Sequence, residues 1–365
     1  MKIVFRTDAS VQIGTGHVMR CLTLADALRL NGAECTFICR AHVGHLLERV
    51  HQRGHKTIEL PAQDALPIYA SQTSLPHKAW LGTDWTTDAA ETQHAIGRHT
   101  ADWLVVDHYA LDHYWEQALR PHCQQLMVID DLADRVHDCD LLLDQNLGRN
   151  AEDYSDLTHA TATKLIGPRY ALLRPEFAVL RDESLTRRTH TQLKNLLITL
   201  GGVDKDNITG DVLNALRNCT LPQELRITVV MGTHAPWLEH VSLLAKSMPR
   251  PTEVLVNVTN MARVMTDSDL VISAAGGTAW ELCSLGLPSI VIALAENQLR
   301  GACALQTEGA ALKFENSNEI NALIQPLLIP NSQSTLLQQL SKKSAAITQG
   351  NGAALVIKAM ESLHA

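Results

Sequence analysis

Two short stretches of this sequence carry residue types that can do chemistry at the point where a strand gives way to a helix. The first is Ile13-Gly14-Thr15-Gly16-His17-Val18. Gly14 and Gly16 let the backbone come close to a phosphate or a sugar, and the helix that follows offers free N–H groups and the positive end of its dipole. His17 stands where the loop meets the helix. Only histidine titrates near neutrality without special tuning, so it can take a proton from water or give one to a leaving group. The plain alternative is a tight strand-to-helix turn with a hydrogen-bonded histidine beside it.

The second stretch is Leu270-Val271-Ile272-Ser273-Ala274-Ala275-Gly276-Gly277-Thr278-Ala279-Trp280-Glu281-Leu282. A buried strand runs into small residues, so Gly276, Gly277 and Thr278 can cradle a diphosphate at a helix start. Glu281, one turn in, can then reach two ribose hydroxyls. Thr278 and Glu281 also have the spacing of a capping box, in which both side chains merely satisfy the helix N-terminus. That cap accounts neither for the two glycines before it nor for the polar Glu296-Asn297-Gln298 shortly after the next strand. Asp107-His108-Tyr109 and Asp130-Asp131 close two further apolar runs. They are either solvated strand ends or ligands for a divalent cation, but no recognisable cage surrounds them and the chemistry calls for no metal.

The elements that must hold these stretches follow from periodicity. Apolar runs at 2–5, 35–39, 103–106 and 126–129 predict strands, and the three- and four-residue steps of Val18, Cys21, Leu22, Ala25 and Leu28 predict a helix over 18–30, stopped by Asn31-Gly32. A polar, charged stretch over 181–191 predicts a domain boundary. Beyond it the pattern restarts, with strands at 196–200, 226–231, 254–258, 270–273 and 289–293 and glycines after several of them, Gly201-Gly202 and Gly232 among these. The expected fold class is α/β, with domains at 1–180 and 195–365, a linker at 181–194, and a C-terminal helical region opened by the polar residues 331–335. A nicotinamide-binding site is disfavoured, because its third glycine would fall at Met19 and Arg40 replaces the acidic residue expected after strand two.

Composition narrows the classes further. With 365 residues, 45% hydrophobic and 19% charged, the chain can bury two sizeable cores. A net charge of -8 has the wrong sign for broad phosphate neutralisation, which excludes a nucleic-acid partner of that kind. The 8 cysteines are scattered, with no paired metal-ligand spacing, and fit reduced core thiols. Neither a signal sequence nor a run of about 18 apolar residues occurs, so the expectation is a cytoplasmic protein without a membrane partner. Oligomeric state is left open.

In combination, Arg6-x-Asp8-Ala9-Ser10, Ile13-Gly14-x-Gly16-His17-x-Met19-Arg20-Cys21, Asp107-His108-Tyr109, Ile129-Asp130-Asp131, Tyr170-Ala171-Leu172-Leu173-Arg174-x-Glu176-Phe177 and the 276–281 stretch resemble one family over residues 1 to about 310. It is that of the UDP-2,4-diacetamido-2,4,6-trideoxy-β-L-altropyranose hydrolases of pseudaminic acid biosynthesis. The resemblance implies a GT-B-like architecture of two Rossmann-like domains, their parallel sheets facing a central cleft, with UDP held mainly by the second. It implies His17 as catalytic acid/base, Tyr109 as a sugar-site residue, Glu281 as the ribose ligand and Asn297 and Gln298 as cleft contacts. The expected partner is a UDP-sugar and no cofactor is implied. The expected reaction is attack of water on the anomeric carbon, the alternative being an inverting GT-B glycosyltransferase.

Overall fold

The computed structural model describes residues 1–62, 77–97, 100–190, 192–328 and 330–364. They form two compact units, Met1–Leu172 with Gly352–Ala365, and Leu173–Asn351.

In the first unit the strands are β1 (Lys2–Thr7), β2 (Glu34–Arg40), β3 (Lys56–Leu60), β4 (Ala101–Asp107), β5 (Cys123–Ile129), β6 (Leu141–Asp144) and β7 (Thr163–Ile166). Their order is β3-β2-β1-β4-β5-β6-β7, and every pairing is parallel. Helices α1 (Gly16–Leu30), α2 (Leu47–Gln52), α3 (Trp85–Ile96) and α4 (His113–Leu119) connect them. Parallel strands covered on both faces read as near-continuous apolar runs, and β5 and β6 do so. Phe5 on β1 is in register with Phe37 on β2 and stacks on it at 4.7 Å, beneath the apolar stripe of α1. Asn31 ends α1, and Gly32 follows at φ 81°, its N–H on the Arg29 carbonyl at 2.9 Å.

The second unit opens with α5 (Pro175–Arg187) and continues with β8 (Asn195–Thr199), α6 (Ile208–Arg217), β9 (Arg226–Met231), α7 (Leu238–Lys246), β10 (Thr252–Val256), α8 (Met261–Asp267), β11 (Leu270–Ala274), α9 (Thr278–Ser284), β12 (Ser289–Ile292), α10 (Glu296–Thr307), β13 (Leu312–Lys313), α11 (Ile320–Leu328) and α12 (Pro330–Ile347). Its parallel sheet has the order β10-β9-β8-β11-β12-β13. Each sheet therefore reverses its winding once, between β1 and β4 in the first and between β8 and β11 in the second. At such a switch point the loops leaving adjacent strands diverge, and the crevice beyond the strand ends is where open α/β sheets bind ligands. All the stretches singled out in the sequence leave strands at this edge.

The expected linker over 181–194 is largely helix. α5 runs through Arg187, a 3-10 turn follows at Arg188–His190, and Thr191 lies outside the described residues. The charge of this stretch has a structural use. Arg181 donates to the Ser284 carbonyl, to that of Thr348 at 3.0 Å and to that of Ala345 at 2.7 Å, while buried Arg188 donates to that of Met265 at 3.1 Å. These carbonyls lie at or just past the C-terminal ends of α9, α12 and α8, where intrahelical N–H donors run out. A second difference is the C-terminal helix α13 (Gly352–His364). Its Val356, Ile357 and Met360 sit in the core of the first unit, packed with α1, so this helix groups with residues 1–172 and the expected domain at 195–365 ends earlier.

Met360→Ala should cost about 2–5 kcal/mol of stability, the usual range for emptying a fully buried site, since Met360 is fully buried. Hydrogen exchange locates the effect. Faster exchange is expected in β1 and β4, and acceleration confined to β8 and β11 would contradict the grouping.

Candidate active site

His17 is the second residue of α1, 8% exposed, and its ring is held from behind. Nδ1 lies 3.2 Å from Oδ1 of Asp107 and 3.3 Å from the Asp107 carbonyl. Asp107 ends β4, the strand beside β1, so the switch point itself brings the two together. The carboxylate is fully buried. Burial by itself would raise its pKa, but the Arg20 guanidinium and His17 outweigh that and hold it below the usual carboxylate range. An ionised carboxylate only accepts hydrogen bonds, so Nδ1 carries the proton and the lone pair is on Nε2. Such a ring has the tautomer and orientation of a general base.

Arg20, one turn along α1, clamps the same carboxylate with Nε on Oδ2 and Nη2 on Oδ1, both at 2.7 Å, and reaches Asp131 through Nη1 at 2.8 Å. Asp131 also accepts from the Tyr109 hydroxyl at 2.6 Å and from Asn146 at 3.0 Å. Tyr109 is only 4% exposed and stands edge-on to the His17 ring at 4.5 Å. Asp107 and Asp130 are thus buried ion-pair members, Asp130 with Arg135 at 2.9 Å, and not solvated strand ends. His108 faces Asp8 at 3.3 Å. Among the described residues no group of three or more His, Cys, Asp and Glu side chains can hold a metal ion.

Gly14 sits at φ 83°, where its N–H bonds to the Ser10 carbonyl at 2.8 Å, so the turn itself requires glycine there. Gly16 is different. Its backbone is not left-handed, and a Cβ built on it would meet nothing within 4 Å. Among the described residues nothing demands glycine at 16, which leaves open space beside His17.

In the second unit, Gly277 is the N-cap of α9, with φ -54°, and a Cβ there would again meet open space. Thr278 is the first helical residue and makes no capping bond, so the capping box anticipated from Thr278 and Glu281 does not form. The turn starts one residue earlier, which removes Thr278 from the cap position. Glu281 instead faces Arg174, with 3.3 Å between Oε1 and Nη2. Its carboxyl is pushed up to about 7 by burial, against the pull of that guanidinium. Asn297 and Gln298 fall in the first turn of α10. Gln298 accepts from the Leu294 N–H at 3.0 Å, and its Nε2 would stand 3.3 Å from a Cβ at Gly276, so these two share one corner. The structure brings Gly14, Gly16, His17 and Tyr109 together in one unit and Gly276, Gly277, Thr278, Glu281 and Gln298 in the other. Asp107, Arg20, Asp131 and Arg174 complete the two groups. Arg20 was discoverable, three residues after His17 and hence on the same helix face.

The raised Glu281 pKa has a sign. A folded-state value above the unfolded one means that the native protein binds the proton more tightly, so stability falls as pH rises from the ordinary carboxyl range towards about 7. Urea unfolding at pH 5 and pH 7.5 should show wild type losing stability relative to Glu281→Gln over that interval. A pH-independent difference between the two proteins would place the carboxyl at its ordinary value.

Residues 195–359 match the family model for the glycosyltransferase family 28 C-terminal domain. An uncharacterized protein of Methanocaldococcus jannaschii is 27% identical over 309 residues, 83% of this chain and 57% of the relative, so the chain spans little more than half of that protein. The UDP-2,4-diacetamido-2,4,6-trideoxy-β-L-altropyranose hydrolase of Campylobacter jejuni is 24% identical over 315 residues, 86% of this chain and 100% of the relative. Among solved structures, MurG of Acinetobacter baumannii superposes with a TM-score of 0.68 at 16% identity, covering 99% of each chain. Two Rossmann-like units, each with one parallel sheet, and the likeness to MurG give the chain a GT-B-like fold.

Proposed function

We propose that the protein is a UDP-sugar hydrolase, and that its substrate is a UDP-linked diacetamido-trideoxy hexose. The observation that carries this reading is the His17–Asp107 pair, an imidazole fixed by a buried carboxylate with Nε2 left to accept a proton. Water hydrogen-bonded to Nε2 becomes a nucleophile as its proton passes to the ring, and the resulting imidazolium is stabilised by Asp107. The water oxygen bonds to the anomeric carbon, the bond from that carbon to the UDP oxygen breaks, and UDP leaves with the electron pair. The second unit holds the UDP. Gly276, Gly277 and Thr278 take the diphosphate with backbone N–H groups that precede the first intrahelical donors, and Glu281 takes the ribose. The Campylobacter relative, matched over its whole length, bears the name of this activity. Cytoplasmic localisation belongs to this reading; among the described residues no helix is long and apolar enough to cross a membrane.

A second reading, an inverting glycosyltransferase, is favoured by the family 28 match over residues 195–359. The same His17 would then deprotonate an acceptor hydroxyl. Incubation of the purified protein with the UDP-sugar separates the two: full-rate release of UDP without an acceptor supports hydrolysis, and release only when an acceptor is added supports transfer. In ¹⁸O-water the label should enter the free sugar and leave UDP unlabelled; label in the UDP phosphate would mean attack at phosphorus.

His17→Asn and His17→Leu should each lower turnover by about 10²-fold or more, the size of a lost general base, with melting temperature and UDP affinity nearly unchanged. Near-normal turnover in either variant would remove His17 from the mechanism. Glu281→Gln should weaken UDP binding by about 1.5–3 kcal/mol, as expected for losing a charged hydrogen-bond acceptor. Calorimetric titration reads this directly, and unaltered affinity would leave the ribose without its proposed ligand.

A further inference from the structure

Tyr109 does not present a hydroxyl to solvent. Its OH is tied to Asp131 at 2.6 Å, and the residue is only 4% exposed. What covers the ring is a cluster of aromatic side chains from the 3-10 turn Lys78–Leu81 and the residue before it. Trp80 stacks on Tyr109 at 5.6 Å with an interplanar angle of 23°. His77 lies 4.3 Å from Trp80 and 5.3 Å from Tyr109, centroid to centroid. On its other side Tyr109 meets the edge of His17 at 4.5 Å. Trp80 and His77 remain partly exposed, so the outward surface of this stack is an indole and an imidazole two rings away from the proposed base.

We propose that Trp80, backed by Tyr109 and His77, is the surface that recognises the sugar, and that it selects hexoses bearing a methyl group where common hexoses bear a hydroxymethyl. The inference rests on the UDP-sugar reading above and deepens it. A hexose whose anomeric carbon lies at His17 has to place its ring within reach of this wall. Aromatic faces take C–H groups well, because the ring face is electron-rich and the sugar hydrogens are polarised by neighbouring oxygens. They offer nothing to a hydroxyl, which loses its water there without gaining a partner. A trideoxy sugar with two acetamido groups is rich in methyls and poor in hydroxyls, which suits such a surface. Tyr109 then has a supporting role: its hydroxyl fixes the ring through Asp131, which also holds Arg20, so the wall and the base are oriented by one carboxylate.

The test measures affinity separately from turnover. Dissociation constants for UDP, UDP-N-acetylglucosamine, its 6-deoxy analogue and the UDP-diacetamido-trideoxy hexose are determined by calorimetry on the full chain, for wild type, Trp80→Ala and Trp80→Phe. Wild type should prefer the trideoxy sugar, and likewise the 6-deoxy analogue of UDP-N-acetylglucosamine, over UDP-N-acetylglucosamine by about 10-fold or more; the analogue differs from its parent only at C6, so its ratio is that of one small group discriminated in an apolar site. Trp80→Ala should erase most of that ratio while UDP alone binds as before, and Trp80→Phe should keep most of it. An unchanged ratio in Trp80→Ala, an equal loss for UDP and every UDP-sugar, or a wild type without preference would each overturn the proposal. If wild type binds the trideoxy sugar selectively but releases no UDP from it, hydrolysis fails as the function while the wall is still judged by the ratio.

Discussion

A carboxylate stripped of water has to be held by cations and donors, and Asp107 at the end of β4 is where this requirement shapes the first unit. Its two oxygens serve a bidentate Arg20, the Cys21 thiol at 3.5 Å and the His17 ring. All three partners come from one face of α1, so the carboxylate fixes the rotation of that helix as well as the tautomer of the histidine. Removing the Arg20 guanidinium would leave a carboxylate buried without a cation, which costs far more than an exposed pair contributes. The His17 ring therefore inherits its orientation from a constraint that the fold has to satisfy in any case.

The same rule operates one strand away. Arg6 on β1 and Arg40 on β2 are fully buried, and both reach Asp88 on α3, with Nη2 to Oδ2 distances of 2.6 Å. Asp8 accepts from Arg6 at 2.6 Å and from the Arg40 N–H at 2.7 Å, and Trp115 donates its indole N–H to Asp88 at 3.0 Å. Burial raises the Asp8 carboxyl, but Arg6 and His108 hold it well below the usual range. This network ties α3 and α4 to the strand ends from which the loops around His17 depart.

Which parts of this were legible in the sequence follows a physical divide. Strands buried on both faces announce themselves as apolar runs, and β1, β2, β4, β5, β8, β9, β11 and β12 were all readable from theirs, as was the edge strand β10, which is apolar without being buried. Lys56–Leu60 mixes charged and apolar residues at the sheet edge, Leu141–Asp144 and Thr163–Ile166 are four residues each, and Leu312–Lys313 is two, too short for any period to show. The charged stretch around Arg181–Arg188 was misread for a related reason: composition cannot tell a guanidinium in water from one buried on helix carbonyls. Of the two groups of candidate residues, the glycines and His17 were visible because their types are unusual at a strand exit. The partnership of His17 with Asp107, ninety residues away, depends on β1 lying beside β4, and that pairing is a property of topology. Trp80 carried no signal at all, since an isolated tryptophan before a helix is most often core.

Two carboxylates with arginine partners shift in opposite directions from their ordinary values, and geometry accounts for the difference. Asp107 receives a two-pronged guanidinium at 2.7 Å on each prong, which outweighs its burial and keeps it anionic. Glu281 has a single contact to Arg174 at 3.3 Å, and Arg174 is shared with Glu176 at 3.1 Å, so burial wins and its carboxyl sits at about 7. The first arrangement suits a group that must stay charged while a neighbouring ring gains and loses a proton. The second leaves a carboxyl whose charge depends on what approaches it, because hydroxyl donors favour the anion and an apolar neighbour favours the acid. Gly277, four residues before Glu281, leaves open space at the start of that same helix. In the proposed function, ribose hydroxyls approaching Glu281 at the N-terminus of α9 would draw it towards its charged form.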